Sequence, residues 1–594
     1  MKNQDPGSVS PATTEKVQDD ITSSSTPVDS HIRSSAEIEK PQGSYSHSDE
    51  EEDDEEDDDD DSSNSSSSGR RSGSRRSSAA ASRMQSLSRT VSDIHDGVEN
   101  RRDLEIGQPM EQKVTTTAPN PNDPDLVTWT GPDDPENPKN WAFGRKWLTV
   151  FVVSTFTLIS PLSSSMVSPA LTTIGQEFNV PAGTEQALIL SVFVLAYAVG
   201  PLAWGPLSEI YGRMLVLQTT NVLYLFFNLG CGLSKTKGQL IAFRFLSGLG
   251  GSAPLAIGGG VLGDLFNAEE RGKAISLYSL CPLLGPAIGP IIGAYVTQNT
   301  TWRWTFYATT IADAAIQISG IIFLRETYVP VLLAWRKRKL IKETGNDNLH
   351  TPFDHPDRTL AKTLRIAFVR PFRLLGTQII LQVLALYMMF LYGLMYIVLV
   401  SFPSLWASPE PEGYGESLGI SGLNYISLGV GFFLGAQVCA PLQDRVYAGL
   451  KARNGGPGRP EYRVPMMVPG AVLVPVGLFI YGWTAEYKTH WIGPNIGAAL
   501  FAAGTIIGFQ CVQTYLVDTY TRYAASAVGA ATVLRSLAGF GFPLFASSLY
   551  DRLGLGWGNS LLAFLAIAIG LPSPIMLWFY GEKLRKRSPF AAGQ

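Results

Sequence analysis

Six histidines and four cysteines are all that 594 residues carry. The histidines form no metal-ligand spacing, and no hydrolase constellation accompanies them. Cys231, Cys281, Cys439 and Cys511 sit in apolar runs without paired spacing or a common aqueous face. Free thiols are expected, and a disulfide framework is excluded. No Gly-x-x-x-x-Gly-Lys-Ser/Thr loop occurs, which argues against an ATP-driven pump. The opening residues are polar and Ser-rich, with no apolar core followed by a cleavage site, so the first membrane span is expected to serve as the insertion signal.

What the chain does have is apolar length. A bilayer core needs about 20 apolar residues as helix. Such runs lie near 147–168, 186–205, 214–233, 240–263, 272–297 and 303–324, and again near 377–402, 421–441, 463–483, 491–517, 524–548 and 557–580. Segments such as Leu188–Gly205 and Leu561–Tyr580 are apolar nearly all round, the mark of helices in lipid or in a buried bundle. The pattern predicts an all-α membrane protein of 12 spans in two six-helix bundles.

Charge divides the chain. Residues 1–140 hold 14 Lys+Arg against 31 Asp+Glu, and the remainder holds 33 against 21. The first stretch is rich in Ser, Pro and acid and is expected to be a disordered tail. It contains the acidic run Asp49–Asp61 and serines just after basic residues at Arg75-Arg76-Ser77-Ser78, a pattern suited to kinases. The expected organisation is a tail (1–140), a first bundle (141–328), a basic linker (329–376), a second bundle (377–582) and a short tail (583–594). Lys and Arg gather on one set of loops, including the linker (Arg336, Lys337, Arg338, Lys339), the loop with Arg445 and Lys451, and the terminus with Lys583 and Arg585. The positive-inside rule places these loops and both termini in the cytoplasm.

Gly205-Pro206-Leu207-Ser208-Glu209 at the end of the second span is answered by Ala440-Pro441-Leu442-Gln443-Asp444 at the end of the eighth, which suggests duplicated halves with a substrate site between them. Gly205, Glu209, Gly212 and Arg213 are read as a tight loop between spans two and three, where Gly212 allows the turn and the charges can lock one face. Asp264 and Arg271 after the fourth span, and Asp444, Arg445 and Asp518 in the second half, complete the candidate gate. Arg244 lies inside the fourth span, where a charge costs about 2.5–3.5 kcal/mol on insertion scales. It cannot release a proton and can only bias a nearby group. Gly285, Gly289 and Gly293 share one face of the fifth span, and Pro286 and Pro290 bend it. Asp313 in the sixth span could titrate or serve as one member of a structural pair. Tyr392 and Tyr396 on one face of the seventh, Phe509, Gln510 and Gln513 in the tenth, and Arg535 in the eleventh are candidates to line a cavity for cationic or planar molecules.

The run Gly205–Arg213 resembles the loop signature of the major facilitator superfamily, Gly-x-Leu-Ala-Asp-Arg-x-Gly-Arg, with Glu209 as the acid, Ile210 for the first Arg and Ser208 for Ala. The Glu form resembles its fungal drug:proton antiporter branch. The stretch from Leu240 to Ser252 is similar to the fourth-span motif whose Arg the family implicates in proton coupling. The run from Gly285 to Gly293 resembles the antiporter motif Gly-Pro-x-x-Gly-Gly, with Pro290 in place of the last Gly. Phe542-Pro543-Leu544-Phe545 and Leu324-Arg325-Glu326-Thr327 resemble segments of fungal drug and polyamine exporters. The resemblance implies a non-enzymatic, proton-coupled antiporter that exports drugs or polyamine-like cations by alternating access. It uses the proton gradient and no cofactor. Its partners are small-molecule substrates, protons, the bilayer and tail-directed kinases, with no nucleic acid. A monomer in the plasma membrane is expected, with the vacuolar membrane as the other location. A nutrient symporter on the same fold and a transporter-like sensor are the competing readings.

Overall fold

A computed structural model describes residues 123–354, 360–455 and 458–591. The acidic run and the Ser/Arg repeats lie outside the described residues. Eleven helical stretches among the described residues are long and apolar enough to cross a bilayer. The last, Ala524–Lys586, is 63 residues long, far more than one crossing needs. It bends at Gly554, whose φ of 70° leaves the helical region, so it forms two spans and the total is twelve. Glu486 marks the restart: its carboxylate accepts the Leu555 and Gly556 backbone N–H groups at 2.7 and 3.1 Å, as an N-cap does.

The first half consists of Phe143–Met166 continued by Leu171–Phe178, then Thr184–Tyr211, Arg213–Leu233, the pair Lys237–Gly251 and Ala253–Leu265, Ala268–Asn299 and Arg303–Phe323. The second consists of Ile379–Ala407, the pair Leu418–Leu423 and Tyr425–Arg453, Met467–Glu486, Ile492–Thr519 and the two arms of the bent helix. Large apolar side chains such as Phe226, Ile321, Phe564 and Phe579 stand exposed on the outside. In water they would be an aggregation surface; in lipid they are the matching solvent.

Two regions differ from the sequence reading. Residues 123–140 fall in the expected tail, yet they are tied to the linker. Leu126 and His350 form a bridge, and the buried Asp134 carboxylate holds Arg336 at 2.8 Å. Burial pushes the Asp134 acid up, but the Thr130 and Glu136 backbone N–H groups and Arg336 outweigh it and hold the group well below the usual carboxylate range. The linker, for which the sequence reading gave only a basic character, has helices of its own. It contains Val329–Thr344 and the amphipathic helix Leu360–Thr377. Phe368 of the latter packs on Ala198, Leu202 and Val533, so the linker lies across the seam between spans two and eleven.

The fifth span joins the halves. A Cβ at Gly285, Gly289 or Gly293 would come within 2.7, 2.4 and 2.0 Å of Pro161, Ser165 and Met166 of the first span. Only glycine allows that approach. Its other face brings Ala287 and Ala294 against Gly429 and Gly422 of the eighth span. On the face opposite the linker, hydrogen bonds tie the halves together. Ser168 Oγ donates to Leu399 O at 2.6 Å, Thr184 Oγ1 donates to Leu544 O at 2.9 Å, and the Gly419 N–H donates to Gln298 Oε1.

Candidate functional site: a central chamber and its gates

The site begins at a change of winding in the first span. The helix Phe143–Met166 gives way to the 3-10 turn Ser168–Ala170 before the chain continues as Leu171–Phe178. The last carbonyls of a helix lack intrahelical donors, and its C-terminus favours a cation. Arg244 supplies both needs. It is fully buried and donates to Ser163 O at 3.2 Å, Ser164 O at 3.1 Å and Ile189 O at 3.3 Å, with Leu190 O at 3.4 Å. Its guanidinium stands 4.6 Å from the centre of the Phe193 ring. The acceptors it meets are carbonyls, not the carboxylate that a direct proton-coupling partner would require. The sequence offered no sign of this, because the acceptors are main-chain atoms.

Beside it, Ser164 Oγ meets the Tyr396 hydroxyl at 3.3 Å across the two halves. Tyr396 packs on Tyr392 at 5.1 Å, and Tyr392 on Phe509 at 5.8 Å. The Arg535 guanidinium lies 5.1 Å from the Tyr392 ring and 5.7 Å from Phe509. Tyr197 of the second span, which sequence reasoning missed, bonds Ser160 at 2.5 Å. A phenol in the run Leu195-Ala196-Tyr197-Ala198 was the available signal. The Gln510 side-chain oxygen is buried without a donor. Gln513 is exposed within its span, where an amide fits a water-filled cavity better than lipid. The structure thus brings Tyr392, Tyr396, Phe509 and Arg535 together.

Asp313 stands apart from this group. It is fully buried between spans three and six, and both its oxygens accept from Asn221 Nδ2, at 3.1 and 3.0 Å.

The gate differs from expectation. The second-span helix runs through Tyr211, so Gly205 and Glu209 are helical and only Gly212 turns the chain. Open space surrounds Gly205, and it has no part in a tight loop. Gly212 has φ +107°, and a Cβ there would lie 2.4 Å from Glu326 Oε2. Glu326, missed as a gate residue, caps the third span by accepting from Arg213 N at 2.9 Å and Met214 N at 3.1 Å. Arg213 pairs with Asp264 at 3.3 Å. The Arg271 side chain lies outside the described residues. In the second half Arg445 is exposed, and Arg463 does the pairing, with Asp444 at 2.7 Å and Asp518 at 3.0 Å. Repeat symmetry could have found Arg463: it opens the ninth span as Arg213 opens the third.

The model of the Major Facilitator Superfamily matches residues 153–543. The chain belongs to that superfamily. It is 49% identical over 510 residues to the efflux pump vrtL of Penicillium aethiopicum, covering 86% of this chain and 100% of that protein. It is 44% identical to the MFS-type transporter penM of Penicillium rubens, covering 82% and 94%. Among solved structures, the xylose transporter XylE from E. coli in a partially occluded inward-open conformation aligns with a TM-score of 0.52 over 73% of this chain and 98% of that one, at 16% identity. That likeness speaks to the fold alone. The protein is a multi-pass membrane transporter of this superfamily.

Proposed function

We propose that the chain exports amphipathic small molecules from the cytoplasm by alternating access, exchanging them for protons. The observation that carries this reading is the aromatic cluster of Tyr392, Tyr396 and Phe509 on the second bundle, facing Ser164 of the first. It sits beneath the hydrogen bonds that close the face opposite the linker. A site near the midplane, shut on one face, is what alternating access requires. The efflux pump named among the relatives supports the outward direction. The positive-inside bias supports a cytoplasmic linker, so that the closed face is the outer one.

Asp313 is the proposed proton carrier, being a carboxyl buried in mid-span, and ionisable groups at such depth mark proton paths. Arg244 would then act by holding the first span where its winding changes. Planar aromatic cargo fits this chamber better than a polyamine, since the charged side chains beside its rings are guanidiniums. Purified protein in liposomes decides the matter. Cargo flux should rise with an imposed pH gradient, and Asp313→Asn should keep exchange but lose that acceleration. A gradient response unchanged in Asp313→Asn removes Asp313 from the mechanism, and gradient-independent wild-type flux removes the antiport.

A further inference from the structure

Two guanidiniums stand close to the chamber, and only one is satisfied. Arg244 donates to main-chain carbonyls on two helices. Arg535 has nothing equivalent. Its Nε–H is buried with no acceptor, and its near neighbours are the faces of Tyr392 and Phe509. Ring faces attract a cation, by about 0.5–2 kcal/mol, but they offer no lone pair in the guanidinium plane. A buried donor left unmade costs about 1–3 kcal/mol, and more for a charged one. An anion entering beside these rings, in the guanidinium plane, would remove that cost and gain a charge-assisted hydrogen bond. The next residue after Phe509 presents the opposite need: the Gln510 side-chain oxygen is buried with no donor.

We propose that Arg535 is the recognition point for a planar aromatic anion, a carboxylate or phenolate carried on a ring system. The Tyr392 and Phe509 rings are inclined at 61° to each other, so one would stack on the cargo's plane while the other meets its edge, and Gln510 would take a hydroxyl. The proposal rests on the export reading and narrows its substrate class. It reverses the cationic expectation drawn from sequence, because the charge that the chamber leaves unmatched is positive. Arg244 cannot serve this role while it caps the first span.

The test uses the full chain in nanodiscs and two dyes that share a xanthene frame, the anion fluorescein and the cation rhodamine 6G. Binding is read by fluorescence anisotropy without any gradient. Wild type should prefer fluorescein, and Arg535→Gln should lower fluorescein affinity by roughly ten- to a hundredfold and erase the preference. Arg535→Lys should restore part of it, because a lysine keeps the charge but loses the planar fork. Equal or tighter rhodamine 6G binding by wild type, no fluorescein binding, or Arg535→Gln binding fluorescein like wild type each overturns the proposal. The wild-type preference needs no variant to fold. Dye movement in liposomes is scored separately. A preference without movement keeps the anion site and removes export, while movement without preference does the reverse.

Discussion

On the linker-bearing face each half builds the same device. In the first, Arg213 at the start of the third span pairs with Asp264 at the end of the fourth; in the second, Arg463 before the ninth pairs with Asp518 at the end of the tenth. The first pair is buried, with side chains 10% and 17% exposed, whereas Arg463 shares itself between Asp518 at 31% and Asp444 at 76%. The contrast repeats in mid-membrane, where the first half satisfies Arg244 with carbonyls and the second leaves the Arg535 Nε–H without an acceptor. At these two places the first half closes its charge on protein and the second leaves it open to water or cargo, although the second half also buries an ion pair of its own, Arg585 with Glu461 at 3.1 Å. Corresponding positions of duplicated halves need not carry equal duties.

The sharpest way to break this comparison is to remove Arg244. Arg244→Ala should abolish transport and destabilise the protein by several kcal/mol, since a helix end loses its cap and buried carbonyls lose their donors. Arg244→Lys should recover fold better than flux, because one ammonium cannot reach carbonyls on two helices. Thermal unfolding and liposome flux, measured on the same preparations, separate the two effects. Wild-type flux in Arg244→Ala would show that the first span needs no cap where its winding changes.

Next in size is the seam of the fifth span. Gly293→Leu places a Cβ about where the Met166 carbonyl oxygen lies, 2.0 Å away, and a backbone atom cannot step aside as a flexible side chain can. A loss of roughly 1–3 kcal/mol is expected, as for overpacking generally. Gly541→Ala in the eleventh span meets nothing within 4 Å and should be near neutral. Equal destabilisation of the two would remove the packing account of the fifth-span seam.

The ion pairs give a smaller contrast. Arg213→Ala should cost more than Arg463→Ala, since the first leaves Asp264 buried without its cation while Asp444 turns to water. Exposed pairs contribute about 0–1 kcal/mol and fade with salt. Unfolding at low and high salt should therefore narrow the Arg463→Ala difference and leave that of Arg213→Ala largely in place.

Much of this was legible in the sequence for a physical reason. Spans announce themselves because lipid tolerates so few polar side chains, and Gly285, Gly289 and Gly293 announced a helix contact because only small residues repeat at that spacing. What stayed hidden depended on atoms the sequence pattern does not encode. Arg244 meets main-chain carbonyls, and Glu326 caps the third span with backbone N–H groups as its partners. Gly205 was misread because proline and glycine suggest a turn, yet the helix passes through both it and Pro206. Asp313 could be read in sequence as one member of a pair, but its partner Asn221 lies on another helix and could not be named.

The lead-in to the first span tests how far the tightness of the first half extends. The Asp134 carboxyl is held below its ordinary range by Arg336 and backbone donors despite its burial. Its contribution to stability is therefore fully present above about pH 4, the unfolded carboxylate value. It is lost as pH falls through the lower folded value. Arg336→Ala removes one of the groups that stabilise the ionised form, so the lead-in should release at a higher pH than in wild type, with the spans unaffected. Limited proteolysis between residues 123 and 142 along a pH series reads this directly. Release at the same pH in both proteins would mean that the backbone donors alone hold Asp134, and that the linker is not fastened to the first span through this pair.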